Sequence, residues 1–152
     1  GLLTAAAGSS HGVIGGQALE LEPHPVELEI YHRHKTAALF RAAAAGGAIC
    51  CGAESDVSRW ARIGELIGCA LQLRDDMEDV GGKDSDIGKP VGRDAALGRP
   101  NAALQAGLDG CQQKRAEVID AVRELLGPPT PETEALHRLV EEVTRPAVRQ
   151  AG

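Results

Sequence analysis

Apolar residues in this chain recur every three or four positions, the spacing of one helix face, and no run alternates apolar with polar as a half-buried strand does. Residues 1–7 have helical composition, and the glycine-rich stretch 8–16 runs into Gln17, Ala18, Leu19, Glu20 and Leu21. Pro23 and Pro25 end that piece, because proline lacks the helix donor and restricts the residue before it. From Val26 to about Cys51 a helix is expected, with Leu28, Tyr31, Lys35, Ala38 or Leu39, and Ala42 in period. Its Ala- and Gly-rich stretch 42–48 predicts a close approach by another helix. Ser55 or Asp56 is the expected N-cap of the next helix, whose stripe is Val57, Trp60 and Ala61, Gly64, Ile67 and Gly68, and Leu71. Residues 81–100 read as a polar loop, with five Gly and two Pro. A further helix runs from about Asn101 to Leu126 and stops at Gly127-Pro128-Pro129. Thr130 as N-cap, Pro131 at the first helical position and Glu132 in the first turn open a last helix carrying Leu136, Leu139, Val140 and Val143, ending near Pro146. The expected fold class is all-α.

Composition sharpens this reading. The chain has 152 residues, the length of one ordinary domain at about 150 residues each. Aromatic residues are 2%, so the core must be Leu, Ile, Val and much Ala, which favours closely packed helices. The 16 Lys and Arg against 22 Asp and Glu leave a net charge of −6, the wrong balance for holding a phosphate backbone, so no nucleic-acid partner is expected. The small-apolar run 42–53 falls short of the roughly 20 residues of a membrane span, and no signal peptide is evident. Cys50, Cys51, Cys69 and Cys111 form no CxxC pair and read as buried, reduced thiols of a cytoplasmic protein.

Gln72, Asp75, Asp76 and Asp79 stand at i, i+3, i+4 and i+7, one face of a helix. Like charges at this spacing repel by tenths of a kcal/mol per pair, about 0.2–0.5, and a bound divalent cation would offset that. A solvated acidic face is the other reading, but the acids continue an apolar stripe and so stand at the rim of a core. Lys35 and Thr36 pair a cation with a hydroxyl, able to hold a phosphate oxygen or simply to face solvent. Lys89, Arg93 and Arg99 are cations among glycines. Neither a P-loop nor an EF-hand is present: Pro90 follows Gly88-Lys89, and Lys89 stands where an EF-hand beginning at Asp84 needs glycine. His32, Arg33 and His34 read as a solvated face.

In this order and at these separations, Gly15-Gly16-Gln17-Ala18-Leu19-Glu20-Leu21, Lys35-Thr36-Ala37-Ala38-Leu39-Phe40, Leu71 to Asp79, Gly88 to Asp94, and Gly98-Arg99 resemble the C-terminal half of a trans-isoprenyl diphosphate synthase, of the polyprenyl synthetase family. The resemblance implies an antiparallel helical bundle of the isoprenoid synthase type, residues 1–152 being the C-terminal part of one such domain with the N-terminal half absent. It implies Mg²⁺-dependent ionisation of an allylic diphosphate and head-to-tail condensation with isopentenyl diphosphate, in a cytoplasmic homodimer. Carried over by position, Asp75, Asp76, Asp79 and Lys35 are catalytic, with Asp75 and Asp79 as Mg²⁺ ligands. Lys35, Thr36, Gln72, Lys89 and Arg99 hold the allylic diphosphate, Arg99 standing where the family usually has Lys. Glu20 replaces the family's usual Asp, and Leu71 its usual Phe. The first aspartate-rich motif is not in the sequence, so the chain alone is expected to be inactive. Two other readings stay open: a non-catalytic partner subunit of a prenyl synthase, and a terpene-cyclase-like diphosphate lyase.

Overall fold

The computed structural model describes residues 1–8, 10–22, 26–81 and 92–145, and every regular element among them is helical. Two short helices, α1 (Leu2–Ala7) and α2 (Val13–Leu19), lead the chain. The helix expected over 26–51 is a rod of three parts: α3 (Leu28–His32), a π turn at Arg33–Ala37, and α4 (Ala38–Cys50). After a 3-10 turn at Glu54–Asp56 comes α5 (Val57–Gly81), then α6 (Arg93–Leu97), α7 (Ala102–Leu126) and α8 (Glu134–Thr144). The prolines at 23, 25 and 146, and most of the loop containing Lys89, lie outside the described residues.

The central element is α5, which is buried on two sides where the periodicity marks one stripe. Ile63, Leu66, Ile67 and Ala70 meet Ile119, Val122 and Leu126 of α7 and Val140 and Val143 of α8. One turn further, Leu73 and Met77 pack with Ala102, Ala103 and Cys111. Each buried Leu, Ile or Met contributes about 1.5–3 kcal/mol by leaving water. The opposite side faces α4 through glycines. A β-carbon on Gly68 would stand 2.6 Å from the Ala37 α-carbon, and one on Gly64 would run into the Phe40 carbonyl. The close approach expected at 42–48 occurs there, with Gly64 of α5 against Ala44, and continues with Gly68 against Ala37. Gly46 and Gly47 face open space, while Ala38 and Ala42 pack on Ala6 of α1.

Several boundaries differ from expectation for local reasons. Ser55 and Asp56 sit in the 3-10 turn without a side-chain cap bond, Asp56 instead approaching Arg59 at 3.8 Å. The polar loop contains α6. Asn101 caps α7 as expected, its Oδ1 accepting from the Leu104 N–H at 3.0 Å, but the helix is broken at Gly107, whose φ of 74° is left-handed. The last helix starts at Glu134 because Thr130 and Thr133 bond to each other first: Thr133 Oγ1 accepts the Thr130 N–H at 3.0 Å, and Thr130 Oγ1 the Thr133 N–H at 3.3 Å. Buried Arg115 reaches across from α7 and donates to the carbonyls of Val143 and Arg145, holding the C-terminus of α8. Of the four thiols, Cys111 is buried and Cys69 half-buried, and burial pushes both up to about 11; Cys50 and Cys51 are exposed, against expectation. No described helix is long and apolar enough to cross a membrane.

This packing gives opposite signs for two glycine substitutions. Gly68→Ala is expected to cost about 1–3 kcal/mol through overpacking against Ala37, whereas Gly46→Ala is expected to stabilise by up to about 1 kcal/mol, since it adds helix propensity in open space. Urea unfolding midpoints of the two variants check both; equal effects would remove glycine contact as the determinant of the α4–α5 approach.

Candidate functional site

Lys35 and Thr36 lie in the π turn, which inserts an extra residue into the helical register and re-aims the side chains after it. The turn is wedged between two glycine contacts. On one side Ala37 rests on Gly68; on the other, α2 comes so close that a β-carbon on Gly16 would collide with the Lys35 backbone. In this setting Thr36 Oγ1 donates to Gln72 Oε1 at 2.6 Å, and Gln72 Nε2 donates to Asp76 Oδ1 at 2.9 Å. Three of the sequence-predicted residues (Thr36, Gln72 and Asp76) are thus brought together across two helices, with Lys35 next to Thr36 in the turn.

The three aspartates of α5 are placed differently. Asp76 is 1% exposed. Its Oδ2 accepts the Ala102 N–H at 2.7 Å, at the first turn of α7, and lies 3.0 Å from His32 Nε2, which is not aligned for a hydrogen bond. His32 is therefore buried against the acid face, and the solvated face expected of it is overturned: the α3 turn points it inward while His34 points away to meet His11 edge-on. Asp79 is also buried, and accepts the N–H groups of Arg93 at 3.2 Å and Asp94 at 3.1 Å, where α6 begins. Asn101 ties these together, donating to the Asp76 carbonyl at 3.2 Å and to Asp94 Oδ2 at 3.0 Å. Asp75 is half-buried on the same helix.

Glu20, which the sequence motifs mark only as a replacement, is the hub of the cationic side. Lys35 Nζ donates to its Oε1 at 2.6 Å, Tyr31 Oη to the same oxygen at 2.6 Å, and Arg99 Nε approaches its Oε2 at 2.9 Å. Burial pushes this carboxyl up, but the hydrogen bonds from Lys35 and Tyr31 and the charges of Lys35 and Arg99 outweigh that, and its pKa lies below the ordinary value. Burial and the Glu20 carboxylate together raise the Tyr31 phenol, which stays protonated as a donor. Arg99 thus joins Lys35, while Lys89 lies outside the described residues. A separate groove of about 570 Å³, lined by residues such as Ala6, His11, His34, Ala42 and Arg62, shares none of the predicted site residues.

Among the described residues no group of three or more His, Cys, Asp or Glu side chains converges as a metal cage. Two of the α5 carboxylates already accept backbone N–H groups. Such a donor set fits a hard cation that takes one or two carboxylates here and completes its shell with phosphate oxygens and water; it does not fit a self-contained protein site.

The polyprenyl synthetase family model matches residues 2–143. The chain belongs to that family. A geranylgeranyl diphosphate synthase of Rhodobacter capsulatus is 40% identical over 113 residues, which are 74% of this chain and 38% of that protein. A farnesyl diphosphate synthase of Escherichia coli is 39% identical over 132 residues, 80% of this chain and 43% of that protein. The chain therefore spans about two fifths of the length of these curated relatives.

The depressed Glu20 pKa makes stability depend on acid. Its contribution is fully present above the ordinary value of 4.5 and is lost as pH falls through the lower folded value. Melting temperatures of wild type and Glu20→Gln are expected to differ most above pH 4.5 and to converge below it. A difference that stays constant down to pH 2.5 would show that the Glu20 charge is not what binds Lys35 and Arg99 in the fold.

Proposed function

We propose that this chain is the C-terminal part of one polyprenyl synthetase domain and supplies its site for the allylic diphosphate, in an enzyme that condenses that diphosphate with isopentenyl diphosphate. The observation that carries the reading is the placing of Lys35 and Thr36 on one π turn, from which Lys35 shares Glu20 with Arg99 while Thr36 bonds Gln72 and, through it, Asp76. Geranylgeranyl and farnesyl diphosphate synthases among the relatives support the substrate class.

In this reading the bond between the allylic carbon and the diphosphate oxygen breaks, and its electron pair leaves with the diphosphate. The double bond of isopentenyl diphosphate supplies the pair for the new carbon–carbon bond, and loss of a proton restores an alkene. The step is hard because negative charge gathers on the leaving diphosphate, so fixed positive groups there lower the barrier. Lys35 and Arg99 provide two, Lys89 a third, and Thr36 with Gln72 offers polar atoms for the remaining oxygens. Mg²⁺, when bound, would neutralise diphosphate charge in the same place, with Asp75 and Asp79 as its protein ligands. Asp76, taken as catalytic with them, supports the pair by holding their helix against α7. We assign the reaction to the cytoplasm and to a homodimer; exposed Leu3, Ile14 and Leu21 on and after α1 and α2 support a partner surface.

The test is made in a polypeptide of full synthetase length that carries this chain. Asp75→Ala with Asp79→Ala is expected to lower prenyl transfer from labelled isopentenyl diphosphate about a thousandfold or more, and the 152-residue chain alone is expected to give no turnover. Wild-type rates in the double variant would remove the metal assignment, and turnover by the chain alone would overturn the division of the site.

A further inference from the structure

Glu20 has no part in the chemistry just described, and its presence there needs a reason. Its side chain is 7% exposed, while Lys35 and Arg99 on either side of it are 21% and 30% exposed, so the acid stands behind the two cations as seen from solvent. A buried carboxylate beside an anion site repels the anion. Removing its charge would leave two cations unopposed, and on charge alone diphosphate would then bind more tightly. Against this stands the conformational freedom of Lys and Arg, whose long stems lose rotamer entropy when they are fixed. An anion that must order both stems binds more weakly by that loss.

We propose that Glu20 is a positioning residue that fixes Lys35 and Arg99 as a pre-ordered pair for the diphosphate. The assignment rests on the function proposed above and deepens it. The geometry suits the role because Glu20 engages Arg99 through Nε, and a guanidinium carries four further N–H groups on its two Nη atoms. Lys35 is held twice at the back, by Glu20 and by the Tyr31 hydroxyl, whose own proton also goes to Glu20. The lowered Glu20 pKa keeps the clamp charged throughout the neutral range. Gly16 is the backbone condition for the arrangement, since it lets α2 bring Glu20 within reach of the π turn.

Pre-ordering and plain charge predict opposite signs, so binding of inorganic diphosphate in the presence of Mg²⁺, followed by calorimetry, decides between them. Glu20→Gln is chosen because its amide oxygen can still accept from Lys35 and Tyr31, while the charge that attracts Arg99 is gone. This variant is expected to bind inorganic diphosphate about tenfold more weakly than wild type, and to cause no further loss in an Arg99→Ala background. Equal or tighter binding by Glu20→Gln overturns the proposal, because Glu20 then only competes with substrate. An equal loss in both backgrounds also overturns it, because Glu20 then acts through general folding. Wild type that binds no inorganic diphosphate overturns the function proposed above, a result that cannot be confused with the other two. Should the variants fail to fold, the wild-type Arg99 Nε–H group, assigned by its loss in Arg99→Lys, is expected to be as ordered by nitrogen-15 relaxation before adding diphosphate as after; ordering that arises only on adding diphosphate would overturn the clamp.

Discussion

The α5 backbone approaches the α3–α4 rod at Gly64 and Gly68 closely enough that no side chain fits between them, and the placement of the polar site follows from that contact. With Gly68 against Ala37, the residues one turn beyond it on α5 come level with the π turn. Gln72 then reaches Thr36, and Asp76 reaches His32. A side chain at either glycine would push the rod outward and break a hydrogen bond of 2.6 Å and a contact of 3.0 Å together. Packing at one end of α5 thus controls electrostatics at the other.

The three aspartates illustrate how one short acidic run is divided by helical register. Burying a carboxylate is costly unless its oxygens are satisfied. Asp76 meets that condition with the Gln72 amide and the Ala102 N–H. Asp79 meets it with two N–H groups at the start of α6. Both acids therefore fasten other elements to α5, and the repulsion between neighbours three and four apart is offset partly by these donors. Cation binding is not the whole explanation for the run, although the half-buried Asp75 is placed differently from its two neighbours.

The helices, the acid face and the pairing of Gln72 with Asp76 were legible because each is a local consequence of a 3.6-residue period. Lys35 and Thr36 could be named from the order of motifs, but not placed, since the π turn that aims them has no periodic signature in Arg33 to Ala37. His32 was misread for a related reason. Flanked by Arg33 and Lys35, it looks like part of a charged surface, and only the tertiary contact with Asp76 shows otherwise. The Ala- and Gly-rich stretch 42–48 does take a close helix approach, at Ala44, but the glycines that permit it are isolated ones in α5. Glycine composition shows where approach is possible, and the partner's backbone decides where it happens. Glu20 was visible as a substitution, but its connection to Arg99 spans the whole acid helix and the loop after it.

The acidic balance of the chain and its cationic site are compatible because charge acts over different ranges. At an ionic strength near 0.15 M the field of the net −6 is screened within about 8 Å, so a bound anion responds mainly to its immediate neighbours. There the count runs the other way: Lys35 and Arg99 face a single buried acid, and the carboxylate oxygens of Asp76 and Asp79 are occupied by donors. The acids engaged by N–H groups oppose the anion less than their number suggests, since each is neutralised in part by the dipoles that hold it. An acid-rich sequence can in this way carry a site for a highly charged anion. What distinguishes such a site from a basic nucleic-acid surface is that its positive groups are few, fixed and backed by buried carboxylates.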